Sequence, residues 1–503
     1  MSDPVYDLLV VGGGINGCGI ARDAAGRGLK VLLVEQDDLA SATSSWSSKL
    51  IHGGLRYLEQ YEFRLVREAL QEREVLLRIA PHLIHPLEFI LPHDKHMRPA
   101  WMVRLGLFLY DRLGGKISLP GSRTVLFPDP QYSAGLKAVI RRGFFYSDAR
   151  VDDARLTVLN ALSARDNGAT IRTRTRLVAG ERKGGMWSLT LQHVGSGEKS
   201  TVQARGVVNA AGPWVKHLLD DALHVQMDAT VRLVKGSHIV VPRVHDEAHA
   251  YILQNPDKRV VFVIPYESDF SLIGTTDVNV ASVEEGHHIS DVEVEYLLGA
   301  ANRWLAKRLT PADVVWSYAG VRPLYDDGAA NPSEITRDYV LKVDHDGGKL
   351  PLLSVFGGKI TTYRRLAEHA LRELQPYFPA IGGSWTGDEP LPGGDIDSVE
   401  GLAMDLLPKH LGLSPPYLKR LVMRHGSRIE SLLRGIRSMS QLGQLFGQGE
   451  HLLAEREIDF LIREEWALSA EDILWRRTKC GLHMDAVELD RATRFIESKL
   501  SRV

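Results

Sequence analysis

Cysteine is nearly absent from this chain. Its 503 residues hold two, Cys18 and Cys480, which excludes a disulfide framework and fits a reducing compartment. Long apolar runs are missing too. No uninterrupted stretch approaches the ~18 residues of a membrane-spanning helix. The N-terminus, MSDPVYDLLVVGGG, lacks the basic n-region of a secretory signal. Neither charge is in large excess: a formal net charge of −2 gives no general attraction to nucleic acid. No His/Cys/Asp grouping has metal-ligand spacing, so no metal is expected, and there is no repeat or low-complexity segment. What is present is ordinary globular composition, 44% hydrophobic and 25% charged, in a chain long enough for two or three domains. The expected location is cytoplasmic, with room for peripheral membrane contact.

The first forty residues predict a βαβ unit. Asp7–Val11 reads as a buried strand, Ile15–Arg27 as a helix and Lys30–Glu35 as a second buried strand. Between strand and helix lies Gly12-Gly13-Gly14-Ile15-Asn16-Gly17, a G-x-G-x-x-G match. A lone match means little, but this one has its strand, its helix and an acid, Glu35, closing the next strand. Gly12 permits the turn, Gly14 lets backbone approach a pyrophosphate, and Gly17 lets helix and strand pack closely. The helix N-terminus favours the phosphates, and Glu35 suits the adenosine ribose. These residues specify a dinucleotide and leave NAD or FAD open.

Two distant segments favour FAD. Val207–Gly212 is an apolar strand ending in small residues, among them Ala211 and Gly212, where backbone passes the adenine half. Leu352–Thr362 is a strand ending in Gly357-Gly358-Lys359, with a helix expected from Thr361 that would stabilise charge on a reduced ring. The polar stretch Ser41–Tyr57 (SATSSWSSKLIHGGLRY) follows the βαβ unit and suits a phosphate or flavin cradle. Thr43, Ser44, Ser48, Lys49 and Leu50 are its expected cofactor contacts. Together with Gly358, Lys359 and Thr361 they complete the expected cofactor set.

Further along, strand-like runs at Thr170–Val178, Val231–Val241, Arg259–Ile264 and Ser271–Gly274 predict a sheet-rich lobe. Pro376–Gly394 is dense in proline and glycine and reads as a linker. From Ser398 to Val503 the periodicity is helical.

VVGGGINGCGIARDAAGRG, TSSWSSKLIHGGLRYLEQYEFRLVREAL, NAAGPWV, KGSHIVVPR, IGTTDV, GVRPL, ITRDY and SVFGGKITTYRRLAEHA closely resemble the FAD-dependent respiratory glycerol-3-phosphate dehydrogenases, above all the bacterial aerobic type. The likeness covers essentially the whole chain, including EWALSAEDILWRRTKCG near its end. It implies an α/β FAD-binding Rossmann-like domain with a sheet-rich substrate domain, as in the D-amino-acid-oxidase class, and a helical C-terminal domain. Core and C-terminal domain would divide near residue 390. FAD-binding segments (about 1–80, 150–225 and 340–375) would interleave with substrate-domain segments (about 80–150 and 226–340). It implies oxidation of glycerol 3-phosphate to dihydroxyacetone phosphate, with electrons passed to ubiquinone at the cytoplasmic face of the membrane.

A phosphate dianion calls for fixed cations, best of all guanidinium groups. Arg56, Arg322, Arg337 and Lys359 lie in the matching motifs and are the substrate-binding candidates by resemblance. His52 is the candidate general base, because imidazole titrates near neutrality. Lys359 or Arg322 would stabilise a developing alkoxide, and Tyr57 would orient either partner. Cys18 reads as a packing residue, and with no cysteine near the flavin motifs a non-covalent flavin is expected. Lys95–Lys116 (KHMRPAWMVRLGLFLYDRLGGK) places Trp101, Met102, Leu105, Phe108 and Leu109 at helical spacing among basic residues, the composition of an interfacial helix. A core-packed amphipathic helix would have the same pattern. Three points stay open: an oxidase that uses oxygen, a non-catalytic FAD-binding membrane protein, and a homodimeric assembly.

Overall fold

A computed structural model describes residues 4–94, 97–127, 129–257, 259–326 and 338–502, the side chains of residues 59 and 60 excepted. Candidate Arg337 and the segment's first basic residue, Lys95, lie outside the described residues.

The chain opens with β1 (Val5–Val11), α1 (Ile15–Gly26) and β2 (Val31–Val34). β3 (Leu50–Ile51) follows, then α2 (Phe63–Ile79), β4 (Ile84–His93), α3 (Ala100–Leu113), β5 (Arg123–Leu126) and the single turn α4 (Pro130–Ser133). Next come β6 (Arg142–Val151), α5 (Asp153–Asp166), β7 (Thr170–Arg172), β8 (Thr175–Lys183), β9 (Met186–His193) and β10 (Lys199–Asn209). β11 (Val231–Pro242), β12 (Ala250–Gln254), β13 (Val260–Tyr266), β14 (Phe270–Gly274), β15 (Val278–Asn279) and β16 (Trp316–Tyr325) lead to β17 (Val340–Asp346) and β18 (Lys349–Phe356).

The first sheet runs β17-β18-β10-β1-β2-β7, with β8 and β9 paired beside β10. Its centre, β18-β10-β1-β2-β7, is parallel. Parallel strands are covered on both faces and so read as continuous apolar runs, as LLVV and VLLV do in β1 and β2. One cover is α1 with α5 and the Tyr363–Leu374 helix; α5 is buried nearly all round. A Cβ at Gly17 would overlap the Gly12 carbonyl, and one at Gly19 would press on the Tyr363 ring. The first absence lets α1 lie down on the sheet, and the second lets the Tyr363–Leu374 helix pack closely on α1.

The second sheet runs β15-β11-β14-β13-β12-β4-β6-β3, with β16 on β11 and β5 on β6. β3 is its edge, paired with β6 through Leu50↔Arg150 and Ile51↔Ala149. The stretch that leaves the dinucleotide unit therefore enters the second sheet immediately before His52. Thr170–Val178, expected as one strand, is broken at Arg174, which adopts φ 51°.

The C-terminal region has its own core, from Val399 to Ile496. It is helical apart from a two-stranded pair, Leu445–Phe446 with Leu453–Ala454. The expected linker is not a free tether. Trp385 packs against Gly26 under the Arg22 guanidinium and donates to Asp23 O, and Leu391 donates to Ile79 O at 2.8 Å. Proline and glycine here shape a pinned strap whose anchors are hundreds of residues away in sequence.

Candidate active site

Three backbone edges meet at the end of the parallel sheet: the turn Gly12–Gly14, the end of β10 and the end of β18. Gly12 has φ 113°, and a Cβ there would overlap the Ala210 carbonyl. Ser44 Oγ accepts from Ile15 N at 2.9 Å, tying the polar stretch to the first turn of α1. Glu35 accepts from Gly13 N at 2.6 Å and Asp37 N at 2.8 Å. Its burial outweighs those two donors and pushes the carboxyl up to about 7. Asn209 reaches on to Val215 O, and Ala211 N donates to Asn209 Oδ1. Gly357 and Gly358 have φ 75° and 104°, and Asn16 Nδ2 donates to Gly357 O at 3.2 Å. So residues 12–17 and 357–358, which sequence alone could not join, touch. Lys359 caps the short 360–362 helix that leads into the Tyr363–Leu374 helix.

The second sheet supplies the facing side. His52 N donates to Thr361 Oγ1 at 3.3 Å, bringing the end of β3 to the start of that helix. The His52 ring meets Phe262 edge-on, and Lys359 Nζ lies 3.8 Å over the Tyr57 ring. Burial lowers the His52 pKa; Asp148 opposes the shift and Lys359 adds to it. Arg322, on β16, pairs with Asp277 at 2.7 Å and donates to Thr276 O at 2.9 Å. Thr43 Oγ1 donates to Val321 O, so the polar stretch bridges both sheets. Arg56 is half-buried and has no acid partner among the described residues.

Two expectations change. Lys49 does not turn its ammonium toward a cofactor. Its Nζ is buried against Asp153 at 2.9 and 3.0 Å and Ser45 O at 2.9 Å. A buried cation goes to the nearest carboxylate, and the Lys49 backbone is engaged too, its N–H donating to Ser47 Oγ and its carbonyl accepting from Val151 N. Leu50 likewise packs in the core between α2 and the second sheet.

His238 was not singled out in the sequence, though it lies within KGSHIVVPR. Its Nε2 is 2.8 Å from Ser48 Oγ, its ring stacks on Tyr318 at 4.8 Å, and its Nδ1 is buried without a hydrogen-bond partner. Burial, then Lys49 and Arg322, drive its pKa well below the usual histidine range. The available signal was a histidine on the inward phase of a strand whose neighbours are apolar. Nothing local named Ser48 as its partner.

The residues fit a flavin dinucleotide. The glycine turn and the α1 N-terminus suit a pyrophosphate. Asn16 Oδ1 in that turn and His238 Nδ1 beside Ser48 are buried polar atoms with no hydrogen-bond partner among the described residues, in need of a polar ligand or water. Away from this site, Glu267, His451 and His483 come together at the seam with the C-terminal region. There Arg420 already lies 3.1 Å from Glu267 and 3.1 Å from His451.

A family model described as FAD dependent oxidoreductase matches residues 7–364, and one described as the C-terminal domain of alpha-glycerophosphate oxidase matches 384–498. The aerobic glycerol-3-phosphate dehydrogenase of Escherichia coli is 52% identical, over 97% of this chain and 97% of its own. The D-erythritol 1-phosphate dehydrogenase of Brucella abortus is 51% identical, over 99% and 98%. The structure of the Bacillus halodurans glycerol-3-phosphate dehydrogenase complexed with FAD superposes with a TM-score of 0.76 at 26% identity, covering 100% of this chain and 92% of that one.

Proposed function

We propose, on the premise that this chain belongs to the FAD-dependent oxidoreductase family, that it oxidises glycerol 3-phosphate to dihydroxyacetone phosphate and passes the electrons to ubiquinone. One observation carries the reading. His52 donates its backbone N–H to Thr361 beside Lys359, whose ammonium lies over the Tyr57 ring, and the buried His238, on the strand that is hydrogen-bonded to that of Arg322, pairs with Ser48. A neutral imidazole accepts a hydroxyl proton, and a cation beside it holds an anionic substrate and the alkoxide that forms.

When bound, FAD supplies the hydride acceptor. Gly12, Gly14, Gly17 and Glu35 hold its adenosine and pyrophosphate half. Thr43, Ser44 and Ser48, with the backbone of Lys49 and Leu50, line the middle. Ala211, Gly212, Gly358, Lys359 and Thr361 line the remainder. Arg322, Arg56 and Lys359 bind the phosphate, and the Tyr57 ring under the Lys359 ammonium steadies it. Arg337 joins this set by its motif alone. The secondary hydroxyl loses its proton to His238 or His52 while the carbinol hydride leaves.

Ubiquinone is lipid-soluble, so the enzyme must meet the bilayer. No helix among the described residues is long and apolar enough to cross a membrane. The docking surface we assign is α3, where Trp101 is 66% and Leu105 49% exposed, with Met102, Phe108 and Leu109 beside them. The attachment is peripheral.

A second substrate has specific support, since the erythritol phosphate relative is nearly as similar as the glycerol phosphate one. The deciding experiment adds each polyol phosphate anaerobically to the FAD-loaded protein and follows the flavin absorbance. Rapid bleaching by glycerol 3-phosphate, with a weaker response to erythritol 1-phosphate, is expected. Bleaching by erythritol 1-phosphate alone would reassign the substrate; no bleaching by either would reject the reading.

A further inference from the structure

β3 ends at Ile51, so the next backbone N–H groups have no ladder partner. His52 N finds Thr361. Gly53 N finds something more elaborate: it donates to Tyr110 Oη at 2.8 Å and weakly to Asp148 Oδ1 at 3.4 Å. The Tyr110 hydroxyl in turn donates to Asp148, 2.7 Å from Oδ2. Arg73 Nη1 donates to Asp148 Oδ1 at 2.8 Å and to Ser147 O at 2.9 Å. Tyr110 and Arg73 are 2% exposed and Asp148 1%. Side chains from α3, α2 and β6 thus converge on one peptide group, the one that follows His52.

The fit is tight. A Cβ at Gly53 would come within 2.7 Å of both Leu70 Cδ2 and Tyr110 Oη. The protonation pattern is fixed as well. Burial and then Asp148 raise the Tyr110 pKa, so the phenol keeps its proton for Asp148 and offers a lone pair to Gly53. Asp148 also acts at a distance on His52, raising the pKa that burial lowers. A buried polar network that is fully satisfied specifies one geometry, and this one is spent on a loop peptide of the site.

We propose that Tyr110 is a positioning residue for the oxidation. Through its hydroxyl, with Asp148 and Arg73 behind it, it fixes the His52–Gly53 peptide. Tyr110 lies on α3, so the same helix that presents Trp101 and Leu105 to solvent holds the active-site loop from its other face. The inference rests on the proposed reaction with His52 as its base, which loss of the acid limb in His52→Asn establishes on its own. Wild-type flavin bleaching by glycerol 3-phosphate establishes that reaction separately, so the two fail separately.

The test is single-turnover flavin reduction by glycerol 3-phosphate in FAD-loaded Tyr110→Phe, followed from pH 5 to pH 9 (about four units spanning the histidine range). Loss of the phenol donor leaves Asp148 less neutralised, which raises the His52 pKa. The acid limb therefore moves to higher pH, and the limiting rate falls about tenfold as the Gly53 peptide loosens, with less than threefold change in apparent substrate affinity. Asp148→Asn removes the charge but keeps an acceptor, so its acid limb moves to lower pH. Opposite shifts in the two variants are the signature. A Tyr110→Phe enzyme that holds FAD and reduces it with wild-type rate and pH profile overturns the proposal. If Tyr110→Phe does not hold FAD, Asp148→Asn decides: an unmoved or upward-moved limb overturns it.

Discussion

At the scale of a residue, a cation's sequence motif matters less than which anion it meets first. Lys49 and Lys359 both lie in stretches that suit a flavin site, yet Lys49 is neutralised by Asp153 while Lys359 lies over Tyr57. Arg322 pairs with Asp277 and stays partly exposed. Arg322→Ala is expected to lower kcat/KM for glycerol 3-phosphate at least ~100-fold, the order of losing a charge-assisted hydrogen-bond pair, with flavin content unchanged. Near-normal steady-state kinetics would remove Arg322 from the site. The two imidazoles make a pH prediction. A base must be neutral to act, and burial lowers both His52 and His238. The acid limb of kcat/KM should therefore lie below an ordinary histidine's ~6.5, and activity should persist at pH 6. The variant that abolishes this limb, His52→Asn or His238→Asn, identifies the base; a limb unmoved in both would exclude each of them. The glycines, Glu35 and His52 could be proposed from the sequence because their settings are local. His238 could not, because its partner Ser48 lies 190 residues away.

At the scale of an element, periodicity placed α1, β1, β2 and the strands β11, β13 and β14 of the second sheet within a residue or two, since buried strands and amphipathic helices advertise themselves, but it passed over β4, β6 and β16. It could not say that β3 changes sheets, because two residues carry no period. Nor could it decide between a core helix and an interfacial one for α3. The structure gives α3 a buried side and an exposed apolar one. Leu107 and Tyr110 are buried, while Trp101, Met102, Leu105, Phe108 and Leu109 are exposed. Its basic residues are partly engaged: Arg104 donates to Ser122 Oγ at 2.8 Å, and Arg112 covers Phe108. The apolar stripe, more than the charge, should then drive docking. Each such side chain is worth ~1.5–3 kcal/mol on burial. Leu105→Glu should weaken sedimentation with anionic vesicles at least ~10-fold while leaving dye-coupled turnover in solution intact. Vesicle binding as tight as wild type would move the membrane surface elsewhere.

At the scale of the whole molecule, the two sheets share the site, and the C-terminal region closes on them through buried charge. Asp38, fully buried in the loop after β2, accepts from Arg476 Nε at 2.7 Å and from both terminal nitrogens of Arg477 at 2.7 Å. Lys479 meets Asp152 at 2.6 Å, and Arg155 pairs with Glu465. Pairs separated by hundreds of residues leave no trace in a single sequence, which is why the C-terminal region read as an independent helical unit. Their titration has a definite sign. Burial alone would raise the Glu465 and Asp152 carboxyls, but Arg155 and Arg428 hold the first, and Lys479 the second, below their usual values. A folded-state pKa below the unfolded one gives stability that is complete above the unfolded carboxylate range, ~3.9–4.3, and is lost as pH falls from there through the lowered folded-state value. Tm should therefore vary little from these groups between pH 7 and 5 and drop steeply below ~4. Asp38→Ala is the sharper probe, because it takes the close carboxylate from the buried Arg477 guanidinium, while Arg476 keeps Asp472 and Glu471, at a cost of ~3–5 kcal/mol. The same loop holds the glycine turn, with Ala40 N donating to Gly13 O at 3.0 Å. The variant should thus lose both C-terminal protection from protease and FAD affinity. Loss of the first with FAD affinity unchanged would show that the seam is not coupled to the cofactor turn.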